Sequence, residues 1–96
     1  LSGVKPLDVY LVALGEAAER EVVKIIYELR GKGISAERDY LGRKMKAQMK
    51  SADRLNARYP AILGDDELAR GEISLKSMES GEQRTVKLEQ LFEELV

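Results

Sequence analysis

The sequence predicts a mixed α/β domain, a five-stranded sheet flanked by about three helices in the order β-α-β-α-β-β-β-α. Three patterns predict it. An apolar run at 8–14 (DVYLVAL), a helical spacing of apolar residues over 16–30 and a short strand at 34–39 make a βαβ unit, whose strands run parallel. A strongly basic amphipathic stretch then leads into the apolar segment 60–64 (PAILG). Last, residues 72–78 alternate apolar and polar, and a Ser80-Gly81 turn returns the chain through 82–87 as a hairpin.

The first strand has the near-continuous apolar character of a strand covered on both faces. Gly15 ends it. In the helix that follows, Ala18, Val22, Ile25, Ile26 and Leu29 share one face. Glu16 and Glu19 stand near the positive end of its dipole, Arg30 and Lys32 near the negative end. Gly31 and Gly33 offer stops. In the basic stretch, Leu41, Met45, Met49, Ala52 and Leu55 recur at steps of four, four, three and three. That spacing predicts a Met/Leu stripe packed inward, with Lys46, Lys50, Arg54 and Arg58, four apart, as an outer band. Residues 66–70 (DELAR) make a helical turn closed by Gly71. On the next strand Ile73 and Leu75 face one side, Ser74 and Lys76 the other. Leu88, Leu91, Phe92 and Leu95 define a closing amphipathic helix with Glu89, Glu93 and Glu94 outward.

Composition narrows the function. The 96 residues suffice for one domain and one core, not for a deep substrate cavity besides. No apolar run approaches the ~18–20 residues of a membrane-spanning helix, and no signal-peptide pattern opens the chain. The absence of cysteine fits a reducing compartment, and the expected location is cytoplasmic. With no histidine or cysteine, there is no Ser-His-Asp or Cys-His nucleophile system and no zinc site of the His/Cys type. The usual proton shuttle at neutral pH is missing, so catalysis by this chain alone is not expected. Neither G-x-G-x-x-G nor G-x-x-x-x-G-K-[ST] is present, so no phosphate-binding loop is expected after Gly15. No metal or cofactor is expected in the chain.

Charge is the sharpest signal. Residues 38–58 carry seven basic and two acidic side chains, a local charge of +5, in a chain whose net charge is −1. Such a polarised surface suits a polyanion, with nucleic acid the commonest; the plain alternative is a solvated helix face. The outer band lacks the interleaved glutamates that would form i,i+4 pairs. At the helix start, Tyr40 offers a ring for an unpaired base, beside Gly42 and Arg43, or is an ordinary exposed tyrosine. Gln48 carries an amide able to read a base edge, or is one more polar surface residue. Glu67 either caps a turn or takes part in a site, and Lys76 either solvates a strand or does the same. A basic-faced protein-interaction module meeting an acidic partner is the rival reading.

The run 42–55 (GRKMKAQMKSADRL), then 62–68 (ILGDDEL), Gly71, Lys76 and Gly81-Glu82-Gln83, together with the opening DVYLVALGEAAE, resembles the C-terminal anticodon-binding domain of histidyl-tRNA synthetase. The resemblance extends from about Pro6 to Val96. It implies a single domain over 1–96 that holds the anticodon stem-loop of tRNA(His), cut from the C-terminus of a longer, homodimeric synthetase, with 1–6 a linker remnant. The opening Leu1, in place of Met, fits that expectation. Histidine activation, with its ATP and Mg²⁺, is implied to belong to the catalytic domain of the parent. In threonyl relatives bases are read from the basic helix, from an acid after the glycine-ended strand and from a basic residue on the next strand. The matching positions here are Lys50, Glu67 and Lys76. At Lys50 and Lys76 a lysine replaces a fork-shaped arginine, a point charge better suited to phosphate. Arg43, Lys44, Lys46 and Arg54 are then expected to position the RNA backbone, and Gln48, Lys50, Glu67 and Lys76 to discriminate bases, with Tyr40 for stacking.

Overall fold

The apolar run near the N-terminus is apolar along its whole length because it becomes an inner strand. In the computed structural model, which describes residues 6–96, β1 (Leu7–Ala13) lies between β2 (Ala36–Arg38) and β3 (Ala57–Leu63), parallel to both. β4 (Glu72–Lys76) and β5 (Gln83–Lys87) complete the sheet as an antiparallel hairpin, giving the order β2-β1-β3-β4-β5. Between them run α1 (Glu16–Gly31), α2 (Met45–Arg54) and α3 (Asp65–Arg70), and a 3-10 turn at Leu88–Gln90 leads into α4 (Leu91–Leu95). The architecture is the mixed five-stranded α/β sheet expected, with the DELAR turn lengthened into a short helix. The linker remnant expected at 1–6 lies, apart from Pro6, outside the described residues.

The alternation of side chains divides the sheet into two unequal faces. On the larger, Val9, Leu11, Ala61, Leu63, Ile73, Leu75 and Val86 pack against the apolar stripe of α1 and against Leu91 and Leu95 of α4. On the other, Tyr10, Val12, Ala57 and Ile62 pack beneath Ala52 and Met49 of α2. Among the described residues α2 is the only helix on that second face, and it sits over β1 and β3. Over the hairpin the face is open: Gln83 and Thr85 are exposed and Lys76 is half-exposed. The molecule is thus sealed on both sides at its parallel half and on one side at its antiparallel half.

The orientation of α2 departs from the expected stripe. Its buried residues are Gln48, Ser51 and Ala52, whereas Met45 is 40% and Leu55 39% exposed, and Leu41, ahead of the helix, is 78% exposed. The cause lies on β1. β2 is three residues long, and its ladder with β1 ends at Leu11, so the peptide group of Ala13 has no strand partner on that side. The carboxamide of Gln48 takes the place of the missing strand. Its Oε1 accepts from Ala13 N–H (3.1 Å) and its Nε2 donates to Ala13 C=O (3.0 Å), with a further bond to Arg43 C=O. An unpaired buried peptide group costs more than a misplaced methionine at the margin, so the amide sets the rotation of the helix.

Candidate nucleic-acid interface

The site is built at the carboxyl ends of the parallel strands, where open α/β sheets present their loops. The segment leaving β2 is pinned first. Asp39, 8% exposed, accepts from the backbone N–H of Arg43 (2.8 Å) and from its Nε (2.7 Å), and Arg43 Nη2 donates to Ser51 Oγ on α2 (2.7 Å). Burial alone would raise the Asp39 carboxyl. The backbone N–H and guanidinium of Arg43, with the backbone N–H of Leu41, outweigh it and hold the group below its ordinary value. Burial pushes the Tyr10 hydroxyl upward beside the same cluster, against the lowering effect of its bond to Ser51. Arg43 therefore fixes the loop to the helix, and its guanidinium is engaged by the protein instead of standing free for RNA phosphate.

Three of the seven basic residues of the segment are engaged by the protein, and one of them, Arg58, belongs to the band expected four apart. Arg43 is paired, Arg38 lies over the ring of Tyr40 (4.8 Å), and Arg58, on β3, lies 4.0 Å from Asp8. The other four, Lys44, Lys46, Lys50 and Arg54, are exposed and form no ion pair among the described residues. Lys46 and Lys50 lie about 160° around the helix from Gln48, so burying the amide lifts them straight away from the sheet. The result is a cationic ridge along the top of α2.

Beside the ridge is a cleft of about 430 Å³, lined by Leu14, Met45 and Ile62 as apolar walls, by Asp65, Asp66 and Glu67 at the start of α3, and by Ser74 and Gln83 of the open half-sheet. Glu67 is held by its own helix: Oε1 accepts from Gly64 N–H (2.9 Å). A Cβ on Gly64 would stand 3.1 Å from that oxygen, so the glycine makes room for the carboxylate. Oε2 has no hydrogen bond among the described residues. Three carboxylates exclude phosphate from the cleft and accept donors such as base amino groups, while the ridge outside attracts phosphate. Geometry thus sets an acid-lined cleft beside a cationic surface.

The expected site residues fall into three groups. Glu67 lines the cleft, and Lys76 shares the open face with Ser74 and stands directly across from Gln83. Lys44, Lys46, Lys50 and Arg54 form the ridge. Tyr40, 62% exposed, lies off both: its ring carries Arg38 and its hydroxyl meets Glu37 (3.3 Å), in a hollow shared with Val23 and Tyr27 of α1. Gln48, 1% exposed and fully hydrogen-bonded, cannot meet a base edge; it is a structural residue. Sequence reasoning passed over Met45, Ser74 and Gln83 as cleft residues. The available signal was the alternation that sets Ser74 on the side of the strand away from Ile73 and Leu75.

Comparison with known proteins identifies the family and the fold. The profile of the family described as "Anticodon binding domain" matches residues 8–96. The chain belongs to that family. It is 56% identical over 85 residues to a histidine–tRNA ligase of Halalkalibacterium halodurans, covering 88% of this chain and 20% of the relative. It superposes on apo S. aureus histidyl-tRNA synthetase with a TM-score of 0.92 at 43% identity, covering 99% of this chain and 24% of that one. The RNA binding domain of threonyl-tRNA synthetase from Cryptosporidium parvum shares the fold (TM-score 0.84, 17% identity, 97% of this chain and 25% of that one). The chain therefore spans about a fifth of the length of the histidine–tRNA ligase relative. Among the described residues no helix is long and apolar enough to cross a membrane.

Proposed function

We propose that the chain is the anticodon-binding domain of a histidine–tRNA ligase and grips the anticodon stem-loop of tRNA(His). The observation that carries the proposal is the unpaired ridge of Lys44, Lys46, Lys50 and Arg54 beside an acid-lined cleft at the strand ends. On this reading the ridge and Lys76 hold backbone phosphates, and the cleft takes an unstacked base, with the free oxygen of Glu67 accepting from it. Activation of histidine, with ATP and Mg²⁺, belongs to the catalytic domain of a homodimeric parent enzyme in the cytoplasm. That domain is the second partner. Bound to the same tRNA, the two domains reinforce each other through effective concentration. Titrating the chain with anticodon stem-loops changed base by base tests the proposal. Discrimination of about 1–3 kcal/mol per well-contacted base is expected. Affinity that ignores loop sequence and follows charge alone favours the protein-interaction reading and refutes this one. Glu67→Gln should change base preference more than overall affinity, since its amide oxygen still accepts from Gly64 N–H.

A further inference from the structure

Gln83 belongs to no core and, beyond lining the cleft, to none of the roles above. It opens β5 with its side chain on the open face, where Nε2 donates to Ser74 Oγ (2.8 Å). Ser74 is itself unusual: 7% exposed, in mid-strand between two fully core residues, its hydroxyl held by this one side chain. Ordering a long exposed glutamine costs rotamer entropy, and a β-branched apolar residue at 74 would satisfy the sheet without it. The pair makes physical sense as a way to aim an amide. The aimed amide keeps its second N–H and its Oε1 free among the described residues, at the lining of the cleft that also holds the free oxygen of Glu67.

Resting on the anticodon-binding reading, we infer that Gln83 is a base-specifying residue which, with Glu67, selects guanine at one position of the bound loop. Guanine alone among the four bases presents two adjacent donors on its pairing edge, N1–H and the N2 amino group, next to an acceptor, O6. A carboxylate complements the donors and repels any base that offers it only acceptors; the free amide N–H of Gln83 complements O6. Met45, Leu14 and Ile62 supply the apolar surface for the faces of the ring. Ser74 acts through Gln83 as a positioning residue.

The test uses fluorescence-anisotropy titrations of the chain with the tRNA(His) anticodon stem-loop. Each loop guanine in turn is replaced by inosine, which lacks the amino group, or by 2-aminopurine, which lacks O6 and N1–H. At one position the wild type should lose about five- to a hundredfold with either analogue. Gln83→Met should lower affinity for the guanine loop while leaving the 2-aminopurine loop unchanged, and should keep the preference for guanine over inosine. Glu67→Gln should weaken that guanine-over-inosine preference, and Ser74→Ala should erase part of the Gln83 effect in the same direction. Equal weakening of all RNAs by Gln83→Met, or no change in its discrimination, overturns the inference and leaves the anticodon reading intact. A wild-type chain that binds a scrambled loop as well as the cognate one overturns both. Gln83 is exposed and only the Ser74 hydroxyl loses a partner, so its variant is expected to stay folded and to melt within a few degrees of wild type.

Discussion

The parallel and antiparallel halves of the sheet use the same kinds of polar side chain to opposite ends. In the parallel half, covered on both faces, Gln48, Asp39, Arg43 and Ser51 turn toward one another and toward orphaned peptide groups. Their hydrogen-bonding capacity is directed inward, and they make a scaffold. In the hairpin, covered on one face, Lys76, Gln83 and Thr85 stand over an unroofed sheet with capacity left over. Residue type alone does not separate a ligand-reading glutamine from a structural one. What separates them is whether a helix roofs the strand beneath.

The most damaging way to break that contrast is Gln48→Leu. It leaves the N–H and C=O of Ala13 buried and unpaired, and should destabilise the fold by about 2–4 kcal/mol in urea denaturation, against about 1 kcal/mol for Gln83→Leu, which leaves only the Ser74 hydroxyl without its partner. Comparable losses at the two glutamines would refute the division. A smaller effect comes from Asp39→Asn, which should lower the melting temperature by a few degrees at neutral pH. The folded carboxyl is held below its ordinary value of 3.8, so its contribution is complete above that pH and is lost as pH falls through the folded value. The wild-type melting temperature should therefore drop on acidification below about pH 4, and the Asn variant should lack that part of the drop. The smallest structural effect sharpens the comparison from the other side. Lys46→Ala should leave stability unchanged, weaken all RNAs alike, and reduce the slope of log K against log salt by about 0.7 for a single-stranded contact. A salt slope unaltered by that change would remove Lys46 from the phosphate-binding ridge.

Much of this fold was legible because periodicity reports burial. Continuous apolar runs, alternation and 3.6-residue spacing located the strands and the longer helices, including the hairpin at Ser80-Gly81. Boundaries slipped where a local signal overrode the sheet: Pro60 suggested a strand starting there, whereas β3 begins at Ala57. The rotation of α2 was not legible. Apolar spacing nominated Met45 and Leu55, but the deciding fact was an unpaired peptide group on a strand 35 residues earlier, which no local pattern records. For the same reason the charge count overstated the ridge. Arg43 and Asp39 are four apart, yet they meet across a loop and not along a helix, and a pairing of that kind appears only once the chain has folded back on itself. Glu67 was the reverse case, in which the cap and the cleft proved to be compatible uses of two oxygens on one carboxylate.

The amide clasp between Gln48 and Ala13 also governs how force travels. Because the helix bearing the lysines is latched to the inner strand β1 by main-chain-like bonds, a pull on that helix is transmitted into the parallel half of the sheet. On the proposed reading, the clasp lets the lysine-bearing helix and the strand beneath it engage the RNA as one piece.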